Sequence, residues 1–142
     1  MDDTLTLEVR HEHGHAIVTA AGEIDISTVT LLRDCLFELA AAGRPLVVDL
    51  DQVSFIDSSG LAALVGTVKR AEAHGGTLHI VCAQPKTRQL FHVTGLDRRI
   101  PVARTVDEAL AGPGPQPPST GMARPPAAVR KLGGERQPRR RG

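Results

Sequence analysis

Leu5, Leu7 and Val9 alternate with Thr6, Glu8 and Arg10, the period of two that a strand shows when one face is buried. Residues 16–21 form a second predicted strand after the Gly14 turn, so the chain opens on a hairpin, and Gly22 ends it. Residues 23–27 carry acidic and hydroxyl groups able to cap a helix. Val29, Leu32, Leu36, Leu39 and Ala40 then recur at helical spacing until Gly43 and Pro45. Residues 46–50 are almost continuously apolar, as expected of a central strand covered on both faces.

After Asp57-Ser58-Ser59-Gly60, residues Leu61, Leu64, Val65 and Val68 follow the i, i+3, i+4, i+7 spacing of an amphipathic helix, which Gly75-Gly76 terminates. Leu78, Ile80 and Cys82 share one side of a strand over 77–82, and Pro85 suits the first turn of a short helix through about residue 92. A last strand over 100–102 precedes Thr105-Val106-Asp107-Glu108, which fits the T-x-x-E capping box of a final short helix. The order is strand, strand, then four helices alternating with three further strands. Helices that join successive strands imply an α/β layered domain on a mixed sheet of about five strands with about four helices.

Charge divides the chain. Residues 1–111 hold ten Lys/Arg and fifteen Asp/Glu, net −5, whereas residues 112–142 hold seven Lys/Arg and one Glu, net +6. Seven of the ten prolines and six of the fourteen glycines also fall after Leu110, in a stretch with few large apolar side chains. Such a segment cannot bury enough surface to offset its ordering entropy, so the expected organisation is a domain over 1–111 and a disordered basic tail over 112–142. The longest apolar run, 61–68, is far too short to span a membrane, and no secretory signal opens the chain, so a cytoplasmic location and no membrane insertion are expected.

Several chemistries find little support. Cys35 and Cys82 lack C-x-x-C spacing, and buried reduced thiols are expected, with no disulfide. Tyr and Trp are absent and only Phe37, Phe55 and Phe91 are aromatic, so a stacking platform for single-stranded nucleic acid is hard to build. The basic run Arg139-Arg140-Arg141 is read as a solvated tail, with no specific nucleic acid expected. His11, His13 and His15 would share one face if they lay on a strand and could then ligate a metal, but a polar hairpin turn is the expectation and no metal or cofactor is assigned. Glu23 and Asp25, two apart beside a turn, suit a partner contact better than acid–base catalysis. No Walker motif, no G-x-G-x-x-G after a strand and no G-x-S-x-G elbow is present, so no enzyme is expected.

The segment 53–61 remains, with its hydroxyls at a helix mouth. One reading is an N-cap, in which Asp57 or Ser58 accepts a bond from a first-turn amide. The other is a modification site. Gly22-Glu23-Ile24-Asp25, Val47-Val48-Asp49-Leu50, the segment 57–61, Gly75-Gly76 and Leu90-Phe91-His92-Val93-Thr94-Gly95-Leu96 occur in this order and spacing. Together they resemble the STAS domain, specifically the bacterial anti-sigma factor antagonists, over roughly residues 4–111.

The resemblance implies a STAS-like layered fold and a partner-switching module. The unmodified form would bind an anti-sigma factor that is also a serine kinase, releasing the sigma factor. That kinase would phosphorylate Ser58, with Ser59 the second choice, and a metal-dependent serine phosphatase would reset the switch. The implied binding surface comprises Glu23, Asp25, Asp57, Ser58, Ser59, Gly60 and Leu61, on a monomer or weak dimer. At position 62 the chain carries alanine where these antagonists often carry glycine. Two alternatives stay open: a STAS scaffold subunit of a sensory or lipid-transport assembly, with Ser58 only a cap, and a receiver domain using Asp57. The second lacks the receiver's acidic pair, because Val9-Arg10 stands at the end of the first strand.

Overall fold

The computed structural model describes residues 5–111. Its elements are β1 (Thr6–Glu12), β2 (His15–Ile24), α1 (Val29–Ala40), β3 (Leu46–Ile56), α2 (Ser58–Ala73), β4 (Leu78–Val81), α3 (Pro85–Thr94), α4 (Leu96–Arg99), β5 (Val102–Ala103) and α5 (Val106–Leu110). The strands form one sheet in the order β1-β2-β3-β4-β5, with β1 antiparallel to β2 and the remaining neighbours parallel. This is the expected α/β layered fold with a mixed five-strand sheet. Chain contacts divide the sequence at Leu110/Ala111, and the tail expected over 112–142 lies outside the described residues.

One face of the sheet carries most of the core. Val18, Val48 and Ile80 point into it from neighbouring strands, and Leu32, Leu36, Leu64, Val68 and Phe91 close over them from α1, α2 and α3. The opposite face buries Ile17, Val47 and Val81 against Ala109 of α5. Burial on both faces explains the unbroken apolar reading of β3's first half. On α2, Gly66 lets the Phe37 ring of α1 approach, and the Arg70 guanidinium sits 4.4 Å from that ring's centroid. Arg99 binds Glu72 with two parallel bonds of 3.0 and 3.1 Å, fastening α4 to α2.

Four expectations are corrected in detail. Gly22 does not end β2: at φ 118° it takes up a register shift, and the strand continues to Ile24. A backbone without a Cβ can bulge and carry on. Likewise β3 runs on to Ile56. Its polar second half, Asp51, Gln52 and Ser54, was unreadable as strand because β4 pairs only with Leu46 to Asp49, leaving the rest flanked by β2 alone. A fifth helix, the single turn α4, appears because Gly95, at φ 81°, breaks the run that begins at Pro85. Val9 is 42% exposed rather than buried, since β1 is an edge strand and its covered stripe fades toward the hairpin.

The hairpin turns on His13 (φ 54°) and Gly14 (φ 80°), the two-residue loop with both central angles positive that matches strand twist. The register pairs His11 with Ala16 and His15 with Glu12, which sends the two imidazoles to opposite faces and parts the trio that a strand would have aligned.

If the layer assignment holds, Leu64→Ala, at a fully buried site on α2, should lower unfolding stability by about 2–5 kcal/mol in urea titrations. Val93→Ala, at a side chain 70% exposed, should change it by less than about 0.5 kcal/mol.

Candidate functional site

Parallel pairing of β2 with β3 sets Ile24 beside Ile56, so both strands end at the same level of the sheet. The next residue in each is an aspartate, and the backbone N–H of Asp57 donates to the Ile24 carbonyl at 3.1 Å. From there the two chains fold alike. Asp25 Oδ1 accepts from Ser27 N at 2.9 Å, Ser27 Oγ at 2.6 Å and Thr28 N at 3.1 Å. Asp57 Oδ1 accepts from Ser59 N at 2.9 Å, from Ser59 Oγ, and from Gly60 N at 3.3 Å. One carboxylate oxygen thus gathers the otherwise orphaned amides of each turn.

Asp57 is therefore the N-cap of α2, and Ser58 is its first helical residue. The capping reading holds for Asp57, not for Ser58. Ser58 is exposed, and its hydroxyl makes no hydrogen bond among the described residues. Ser59, half-buried, has its hydroxyl committed to Asp57. The two candidate acceptors are distinguished by this bond: one oxygen is free and the other is held.

Gly60 is buried under the strand ends. A Cβ there would lie 2.6 Å from Ile56 Cγ1 and 2.7 Å from Ile24 Cγ2, so glycine is what lets the first turn of α2 settle on the sheet. Leu61 is half-buried and packs against the core, while Ala62 is exposed. Gly60 and Leu61 accordingly hold the turn in place from beneath. Glu23 is exposed, and Asp25 and Asp57 are half-buried.

The Ser59 hydroxyl bond, followed by the two amide bonds, holds the Asp57 carboxyl below its ordinary value, against partial desolvation and the neighbouring Asp25 charge. Ser27's hydroxyl does the same for Asp25. Both are carboxylates at neutral pH. Among the described residues no Lys or Arg pairs with either one, so the strand ends present an uncompensated acidic edge.

Two further residues, unread in the sequence, complete the surface. Ile26 occupies in the first turn the place that Ser58 holds in the second, and it is 78% exposed. Phe55, paired across the strands with Glu23, is 51% exposed. Large apolar side chains standing in water beside a polar turn mark contact surfaces. The signal for Ile26 in the sequence was the repeated Asp-x-Ser spacing at 25–27 and 57–59, whereas Phe55 had none. The arrangement supplies a free hydroxyl, acidic charge and apolar area, and among the described residues no imidazole bonds to Ser58 to activate it as a nucleophile.

Lowered carboxyl values fix the sign of the pH response. A group whose folded value lies below its unfolded one adds stability above the unfolded value, and that stability is lost as pH falls through the folded value. Carbon-detected NMR titration should therefore find the Asp57 midpoint below 3.8, and Ser59→Ala should move it upward. Gly60→Ala, which crowds both isoleucines, should cost about 1–3 kcal/mol of unfolding stability in urea.

The family model described as "STAS domain" matches residues 6–109. The chain is 36% identical over 92 residues to the anti-sigma-B factor antagonist of Bacillus subtilis, covering 65% of this chain and 84% of that protein. It is 32% identical over 111 residues to the anti-sigma-F factor antagonist RsfB of Mycobacterium tuberculosis, covering 78% and 90%. Among solved structures, an anti-sigma factor antagonist from Mycobacterium paratuberculosis superposes with a TM-score of 0.72 at 34% identity, covering 78% of this chain and 95% of that one.

Proposed function

Because this chain belongs to the STAS domain family, we propose that it is an anti-sigma factor antagonist whose binding surface is the paired turns at the ends of β2 and β3. The unmodified protein binds an anti-sigma factor that is also a serine kinase, and the bound sigma factor is released. Phosphorylation on Ser58 ends the interaction, and a metal-dependent serine phosphatase restores it. The protein is a regulatory binding module and a kinase substrate. Among the described residues, no helix is long and apolar enough to cross a membrane.

The observation that carries this reading is the uncovered, unbonded hydroxyl of Ser58 beside an equally uncovered Ile26. The turn does not use Ser58's side chain, so esterifying it breaks no bond of the fold. The helix N-terminus tolerates the added charge of about −1.5 to −2. The complex does not. Glu23, Asp25 and Asp57 already make this edge acidic, and a phosphate covered by a partner would be stripped of water there without a cation from the described residues to meet it. A penalty of about 4 kcal/mol would weaken binding roughly a thousandfold.

The test combines purified anti-sigma kinases from the same genome with this protein and ATP, maps the phosphate by mass spectrometry and measures affinity by calorimetry. One kinase should bind the unmodified protein and modify Ser58. Ser58→Ala should keep the affinity and resist modification, whereas Ser58→Asp should lose binding by at least about a hundredfold. Equal affinity of both variants would refute the switch, and phosphate on Ser59 alone would refute the site.

A further inference from the structure

Away from the paired turns, a cleft of about 480 Å³ opens between α3 and the edge strand β5. Ala83, Pro85 and Val102 give it apolar walls, and the fully buried Phe91 lies at its base. Arg88 and Arg104 bring two guanidinium groups to it from separate elements. His92 and Asp97, with Nδ1 and Oδ2 3.1 Å apart, line the remaining side, so one carboxylate also borders the cleft.

Arg88 is held from behind, whereas Arg104 is anchored only by its backbone and its side chain is exposed. Arg88 Nη1 donates to the Cys82 carbonyl at 2.9 Å, which holds the side chain against the end of β4 and uses one of its five donors. Arg104 is set through its backbone, whose N–H donates to Glu108 Oε1 at 2.7 Å, while Glu108's own N–H donates to Thr105 Oγ1 at 3.1 Å. Glu108, the nearest acid in sequence after Asp107, is thus occupied with the amide. Among the described residues no carboxylate pairs with either guanidinium. The loop leading into α3 is pinned to the sheet as well: Ala83 N donates to Asp51 Oδ1 at 2.8 Å, and the Gln84 side-chain amide donates to the carbonyls of Asp51 and Val53.

The geometry points to a second binding site in this cleft, for a small organic anion whose phosphate or carboxylate head lies between Arg88 and Arg104 and whose apolar body rests on Pro85 and Val102. Two planar guanidinium forks free of carboxylates, one held at the Cys82 carbonyl and the other able to swing from a braced backbone, match the bidentate acceptor geometry of such heads. The volume accommodates a body as well as a head. The cleft lies outside the carboxyl ends of the parallel strands β4 and β5. This site shares no residue with the paired turns and does not depend on their function.

The full chain would be titrated with phenyl phosphate, benzoate, inorganic phosphate and, as the neutral control, benzyl alcohol, at constant ionic strength, following backbone amide shifts. Saturable shifts should centre on residues 83–89 and 102–105. Phenyl phosphate should bind more tightly than inorganic phosphate, the difference reporting the apolar wall, and benzoate against phenyl phosphate decides which head is preferred. Arg104→Gln, which removes a side chain outside the fold's hydrogen bonds, should weaken binding at least about tenfold with an unchanged melting curve. Arg88→Gln should do so too, and if it fails to fold, Arg104→Gln alone decides. Shifts confined to residues beyond 112, linear shifts spread over the surface, or binding indifferent to Arg104→Gln would each overturn the site.

Discussion

The carboxylate of Asp57 is the constraint on which the rest of this surface depends. A helix entering from a strand leaves its first amides without partners, and Asp57 Oδ1 collects two of them together with the Ser59 hydroxyl. With the cap supplied from the preceding residue, Ser58 has no structural duty, and its hydroxyl is left to solvent. Had Ser58 itself been the cap, modifying it would have unravelled the start of α2. Separating the two roles by one residue allows a chemical change without a folding change.

That local device is placed by long-range structure. The shifts in register between β2 and β3 near Gly22 bring Ile24 level with Ile56, and Gly60 lets α2 descend onto both. The acidic edge, the exposed apolar side chains and the free Ser58 hydroxyl belong to different elements, but a single parallel pairing aligns them. The same parallel arrangement carries the α3–β5 cleft at the ends of β4 and β5, so both surfaces lie beyond the carboxyl ends of strands.

Much of this was legible beforehand. The helical spacing of Val29 to Ala40 and of Leu61 to Val68 marked α1 and α2, and the apolar run 46–50 marked the middle strand, because burial imposes those periods directly. The outer half of β3 was not legible. Asp51, Gln52 and Ser54 are strand residues held only on one side, and the buried residues around them, Leu50, Val53 and Ile56, fall three apart across the register shifts, so no period of two is left to read. Ile26 and Phe55 were missed for the converse reason, since apolar residues are ordinarily read as core and only coordinates reveal them standing in water. Ser58 was singled out by the order of the motifs, whereas what separates it structurally from Ser59 is one hydroxyl bond that no spacing records.

The duplication of the aspartate turn has an evolutionary implication. In both copies the architecture is written in the aspartate and in the residues two and three beyond it, and the intervening position contributes nothing to the scaffold. Natural selection can therefore rewrite Ile26 or Ser58 without disturbing the turn bonds that present them. Under the proposed switch, duplicated genes would acquire new partners first at these two letters, because nothing in the scaffold resists a change there.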